Sequence, residues 1–455
     1  MKRSLVLLLA LATLVSVVLA GCGDKSATTG DESPPVPSES EAPSPSAEKV
    51  EPFTITLRHI QIGEPQKFRL AMLKDVVAKT EAEVAGLKIE LDGVEDQVNR
   101  FTKLPAEMAA GNPPQIFDLF GGEADAKKYA KAGRLLELTP ILEELGIKDQ
   151  FLDLSQFTVD GKIYGLPIGG STEGFFYNKP LFEKYGLKVP TTWDELENIL
   201  ATLKENNVTP MAAASKAAWV PIMTMNSLYA RFAGPDFIQG LVDGSLKWTD
   251  PTMLAAASKF EEWEKKGYFT KGELGLEYND IRSQLITGKA ALMFDGSWAS
   301  SVFKDPAQAG DMVGKIGFFA LPPAPNGVGE QASVNGNFSN GYGFKADLND
   351  NELKAVKSFI KNLYNQEMQV RGLLEDGVLP SMKMPSEAYA DKVTDQLLKE
   401  IMATMSSAKQ AYPVYDAFVP SNVYSETEKA IQKLIGGKAT AQQMLQEIQD
   451  VVDGK

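Results

Sequence analysis

A chain of 455 residues has room for two or three domains, and its 44% hydrophobic, 23% charged and 9% aromatic content is that of an ordinary globular protein. Sixty acidic residues against 46 basic ones give a net charge of −14, which argues against a phosphate-backbone partner, so nucleic acid is not expected. With one His, His59, and one Cys, Cys22, the chain has no structural disulfide and no multi-histidine zinc or iron site.

The N-terminus addresses the protein. Lys2 and Arg3 precede an apolar run from Leu5 to Ala20, too short for a membrane span and suited to a signal-peptide core. It ends in Leu19-Ala20-Gly21-Cys22, which resembles the bacterial lipobox, in which the Cys is lipidated and becomes the first residue after cleavage. This predicts a lipoprotein signal peptide over 1–21 and an acyl anchor, palmitate included, on Cys22; an uncleaved anchor helix is the alternative. Residues 22–52 are rich in Ser, Pro, Glu and Ala and read as a disordered linker. The expected location is extracytoplasmic, on the outer face of the cell membrane of a Gram-positive bacterium.

From Phe53-Thr-Ile-Thr-Leu the pattern alternates: a strand, a helix over 66–84, a strand over 87–91, a helix over 99–110, a strand within 113–120 and a helix over 124–132. This order predicts α/β layers around a largely parallel sheet, with ligand beyond the carboxyl ends of the strands, at His59 to Glu64 and Gly121 to Glu123. A strand resumes at Phe175 to Tyr177. Thr192 and Glu195 form a capping-box pattern for the next helix. Trp219 is expected on a loop beside Pro221, and a helix over 253–266 follows. Ala290 to Phe294 reads as a buried strand, Asp295 to Ser297 as a turn, and Trp298 as an aromatic at the strand end. Trp193, Trp248 and Trp263 read as packing residues. "DLNDNELKAV" (347–356) has Glu352 where a calcium loop needs Gly, so a helix N-cap is expected there. There is no G-x-S-x-G elbow and no Walker phosphate loop. No cofactor and no metal are expected.

Several pieces taken together, in order, resemble one family: Gly165-Leu-Pro, Tyr177-Asn178-Lys179, Pro190-Thr-Thr-Trp193-Asp-Glu-Leu, Thr209-Pro210, Gly288-Lys-Ala-Ala, Gly296-Ser-Trp298 and the late "GGKATAQQMLQEIQ". The chain from about 53 to 450 is similar to the extracellular solute-binding proteins of ABC importers, in the sugar-binding branch that includes maltose-binding protein. The resemblance implies an α/β, two-lobed periplasmic-binding-protein-like fold of type II with a hinge between the lobes. It puts residues 53–170 and 320–375 in the N-terminal lobe and 171–319 and 376–455 in the C-terminal lobe. The chain would cross near 168–174, 319–325 and 372–380. It further implies a monomeric receptor, not an enzyme, that captures a sugar or oligosaccharide between the lobes and delivers it to permease subunits.

A pyranose has C–H faces and a rim of hydroxyls, so its site needs flat aromatic surface with donors and acceptors beside it. Trp298, next to Asp295 and Ser297, offers that combination, and the resemblance carries it over as a stacking residue; capping of the local core is the alternative. Trp219 has a similar case, against a role as loop anchor. Gln61 and Glu64, Glu123 and Asp125, and Ser171 and Glu173 are the polar candidates, with a solvated loop carboxylate as the commoner fate. Asn337 and Phe338 lie between glycines that allow close backbone approach, and Tyr424 is carried over as a second-lobe aromatic. Two other solutes and one other class stay open: a binding protein for a peptide or polyamine, and a secreted carbohydrate-active enzyme using paired carboxylates.

Overall fold

The computed structural model describes residues 51–455; the expected signal peptide, Cys22 and nearly all of the linker lie outside the described residues. The strands that position the cleft are β1 (Phe53–His59), β2 (Leu87–Gly93), β3 (Ile116–Phe120), β4 (Leu166–Pro167), β5 (Glu173–Asn178), β6 (Thr209–Ala212), β7 (Ala290–Gly296), β8 (Ile316–Phe319), β9 (Ser333–Asn335), β10 (Asn340–Phe344) and β11 (Gln410–Tyr412). They build a five-stranded sheet in the order β2-β1-β3-β10-β4 and a four-stranded sheet in the order β8-β5-β7-β6. Both sheets are mixed, not largely parallel. In the first, β2, β1 and β3 run parallel while β10 is antiparallel to β3 and β4; in the second, β5 is antiparallel to β7 and β8. The antiparallel strands enter from distant segments and need no helical crossover, a pattern that local alternation does not reveal.

The expected elements follow from local chemistry. The helix Lys67–Glu83 turns Leu73, Val76 and Val77 into a core shared with Ile55, Leu57, Phe359 and Ile360. Asn349 caps the helix Asp350–Leu363 and Glu352 closes the capping box, which accounts for the stretch that superficially matches a calcium loop. Thr192 and Glu195 do the same for Trp193–Glu205. Trp193 and Trp263 stack with centroids 5.8 Å apart, and Trp248 is buried, so these three are packing residues.

Four further expectations change. The helix over 99–110 contains a π-helical turn, Asn99–Lys103, before Leu104–Ala110. Such turns accompany functional sites, and this one carries Arg100. Trp219 opens the helix Trp219–Phe232 instead of lying on a loop: Pro221 falls in the first turn, where its missing N–H is not needed. β7 continues through Asp295 and Gly296, because these residues pair with Gly174 and Glu173 of β5. Finally, residues 321–335, expected in the N-terminal lobe, are tied to the second sheet. Leu321 and Ala324 join its core, the buried Arg231 donates to the Leu321 and Pro322 carbonyls and to Ser333, and β9 pairs with β11. Among the described residues no helix is long and apolar enough to cross a membrane.

Behind the second sheet, Glu264 and Glu273 share a hydrogen bond, and the Ser215 hydroxyl donates to Glu273. Burial, with the partner's charge added for Glu264, pushes both carboxyls up, so the folded state holds a proton that the unfolded chain releases. Their contribution to stability is complete below the ordinary value of 4.5 and is lost as pH rises toward the raised values. Glu264→Gln replaces the shared proton with an amide N–H. Chemical denaturation should show the variant at least ~1 kcal/mol more stable than wild type at alkaline pH, and no more stable in mild acid.

Candidate functional site

A cavity of about 470 Å³ opens between the two sheets. One wall comes from the carboxyl ends of β1 and β3 (Ile60, Ile62 and Phe120), from Arg69 in the first turn of the helix Lys67–Glu83, and from the π-helical turn and the residues just before it (Asp96, Arg100 and Phe101). The other comes from Trp219, Tyr278, Arg282 and Trp298, and from Val414 to Asp416 with Tyr424. Gly169 to Ser171 and Asn337 lie where the two sides meet; Ser171 and Asn337 exchange both backbone hydrogen bonds, at 2.9 and 3.0 Å.

The aromatic wall is rigid because a buried network fixes it. Tyr278 packs edge-on against Trp219, centroids 4.6 Å apart. Its hydroxyl accepts from Trp298 Nε1 at 2.7 Å and from Arg282, and donates to Asp295 Oδ1 at 2.7 Å. Arg282 Nε reaches Asp295 Oδ2 at 3.2 Å, and its guanidinium lies 4.5 Å from the Tyr278 ring centroid. Burial holds the Tyr278 phenol well above its ordinary range, so it is neutral and free to donate. The Trp298 indole rests on Gly296: a β-carbon there would stand 2.1 Å from the ring, so only glycine lets the ring lie against the strand.

The opposite wall is organised by Arg100. It is buried, donates to Asp125 Oδ2 at 2.9 Å and to Asp416 Oδ2 at 3.1 Å, and lies 3.6 Å from the Phe120 centroid. Phe101, exposed at the rim, stacks on Tyr424 with planes 11° apart. Arg100 to Asp416 and Lys67 to Asp305, the latter at 2.6 Å, run directly across the cleft. A cleft with flat aromatic surface on one side, buried polar groups on the other and room for several rings is suited to holding an uncharged, hydroxyl-rich solute.

Residues 70–370 match the family described as "Bacterial extracellular solute-binding protein". The chain belongs to this family. Among solved structures, this solute-binding protein is similar to a "Chitin oligosaccharide binding protein", at 46% identity and a TM-score of 0.83, covering 89% of this chain and 98% of that one. By sequence it is 24% identical over 406 residues to the "Multiple sugar-binding protein" of Streptococcus mutans, covering 85% and 87% of the two chains. It is also 24% identical over 350 residues to the maltodextrin-binding protein MdxE of Bacillus subtilis, covering 74% and 76%. Its α/β fold is the two-domain, type II arrangement of these receptors.

Six of the residues singled out in the sequence line the cavity of this solute-binding protein: Trp298, Trp219, Ser171, Glu173, Asn337 and Tyr424. Four do not. Asp295 is fully buried behind the wall, with both oxygens engaged by Tyr278, Arg282 and the Gly296 N–H. Glu123, in the turn before the helix Ala126–Lys131, pairs with Lys127 and Lys131 of that helix. Gln61 is buried outside the cavity that Ile60 and Ile62 line: β1 ends at His59, and the Ile62 N–H bonds the Ile60 carbonyl at 3.0 Å, so Gln61 is the centre of a tight turn. Phe338 packs on Gly170, where a β-carbon would meet its ring at 2.7 Å. Of the companion candidates, Glu64 stays outside the cavity lining and Asp125 serves Arg100. Tyr278, Arg282, Arg100 and Asp416 are among the site residues that the sequence did not single out. The i, i+4 spacing of Tyr278 and Arg282, which places both on one helical face, was the available signal.

Proposed function

We propose that this protein is a membrane-tethered receptor that takes an oligosaccharide of the chitin type into the cleft and delivers it to the permease of an ABC importer. The observation that carries the reading is Trp298, half-buried in the cavity wall and seated on Gly296 with its N–H spent on Tyr278, which leaves its ring as apolar surface. The 46% identity to a chitin oligosaccharide binding protein supports the solute class. Contacts from both walls favour the conformation in which the solute is enclosed, and hinge motion releases it. The protein makes and breaks no bond. Acylation of Cys22 would hold a single copy at the outer face of a Gram-positive membrane, with residues 23–52 as the leash.

A thermal-shift screen with oligomers of N-acetylglucosamine, maltose and xylose, together with short peptides and spermidine, tests this. A solute in excess of its Kd raises the melting temperature, and the N-acetylglucosamine oligomers are expected to do so. A shift with peptides or spermidine alone would overturn the reading, and release of shortened sugars during incubation would overturn the claim that no bond is broken.

A further inference from the structure

Glu173 opens β5 at the base of the cleft, lines the cavity and is 4% exposed. Among the described residues no hydrogen bond or ion pair reaches its carboxyl, and its Oε2 atom is buried without a partner. The charged groups that act on it are acids: Asp295 on β7 and Asp416 after β11, with the Tyr412 phenol of β11 also in range. The three arginines that line the cavity are committed to other acids: Arg282 to Asp295, Arg100 to Asp125 and Asp416, and Arg69 to Asp376. A carboxylate this deeply buried, with no donor or cation on it and two acids beside it, is favoured as the neutral acid and keeps a proton. Burial first, then Asp416 and Asp295, accordingly push this carboxyl far above its ordinary range.

We propose that Glu173 stands in the cleft as a neutral carboxylic acid whose O–H is kept for a carbonyl oxygen of the bound solute, the acetamido group of an N-acetylated sugar. This assignment rests on the chitin-type reading above. It gives the cleft a basis for choosing acetamido sugars over plain hydroxyl sugars. A buried donor left unmatched by the wrong solute penalises that solute more than any added contact rewards the right one. It also fixes the sign of the pH dependence. The solute binds the protonated form, so affinity is constant while the empty cleft keeps its proton and falls by up to about tenfold per pH unit above the point where the proton is lost.

Two measurements test the proposal. The first needs no ligand: the infrared difference spectrum of wild type against Glu173→Gln at neutral pH should show the carbonyl band of a protonated acid; carboxylate bands in its place would overturn the proposal. The second is titration calorimetry with chitotriose on wild type, Glu173→Gln and Glu173→Leu from mildly acidic to alkaline pH. Gln keeps an N–H donor and does not titrate, so it should retain affinity within about fivefold with a flat pH profile, whereas Leu should lose about tenfold or more. Gln as damaging as Leu, or Leu without effect, would overturn the donor role. If wild type binds no chitotriose, the oligosaccharide reading falls together with the acceptor named here, while the infrared result still decides the protonation state.

Discussion

Replacing Asp295 by alanine is expected to cost about 3–5 kcal/mol of stability, because it strips the counter-charge from a buried guanidinium and the acceptor from a buried phenol. Asp295 is fully buried, and its oxygens hold Arg282 and Tyr278, which in turn hold Trp298. Asp295→Asn should be milder, since an amide oxygen still accepts from Tyr278. Denaturant midpoints at fixed slope would measure both losses. The competing view, that Asp295 is itself a solute contact, requires the opposite pattern: stability near wild type with weakened binding. That result would overturn the network described here.

Trp298→Ala should weaken oligosaccharide binding at least about tenfold, or about 1.4 kcal/mol, with the fold retained. The indole lines the cavity and is half-buried at the edge of the second core, so its loss removes stacking surface without opening a cavity deep within that core. Trp298→Phe should recover part of the affinity, because it restores a ring but not the N–H that Tyr278 accepts. Titration calorimetry alongside a melting curve separates the two effects. Unchanged affinity in Trp298→Ala would remove this residue from the site and with it the main support for the sugar reading.

What the sequence disclosed, and what it hid, follows from the range over which each signal acts. Capping boxes at Thr192 and Asn349, the apolar run of β7 and the packing tryptophans are local, and local patterns are visible. Asp295-Gly296 has the composition of a turn, yet pairing with Glu173 and Gly174 more than a hundred residues earlier draws it into the sheet. That register is a tertiary fact. Gln61 sits just past the predicted strand end, where a tight turn closed by the Ile62 N–H and the Ile60 carbonyl, and not the alternation of the strand, sets its direction. Arg100 and Asp416 were equally out of reach, since nothing within either segment announces a partner 316 positions away. In each case the residue type was informative while the direction of its side chain had to come from the assembled fold.

The bare backbone beneath the indole has a further bearing on how such a receptor can be altered. Position 296 admits a single letter of the amino-acid alphabet, because any side chain would push the ring from its seat. Retuning the protein toward a different solute therefore has to work through the groups that face the ring across the gap. The seat itself is not adjustable: it is either kept whole or lost.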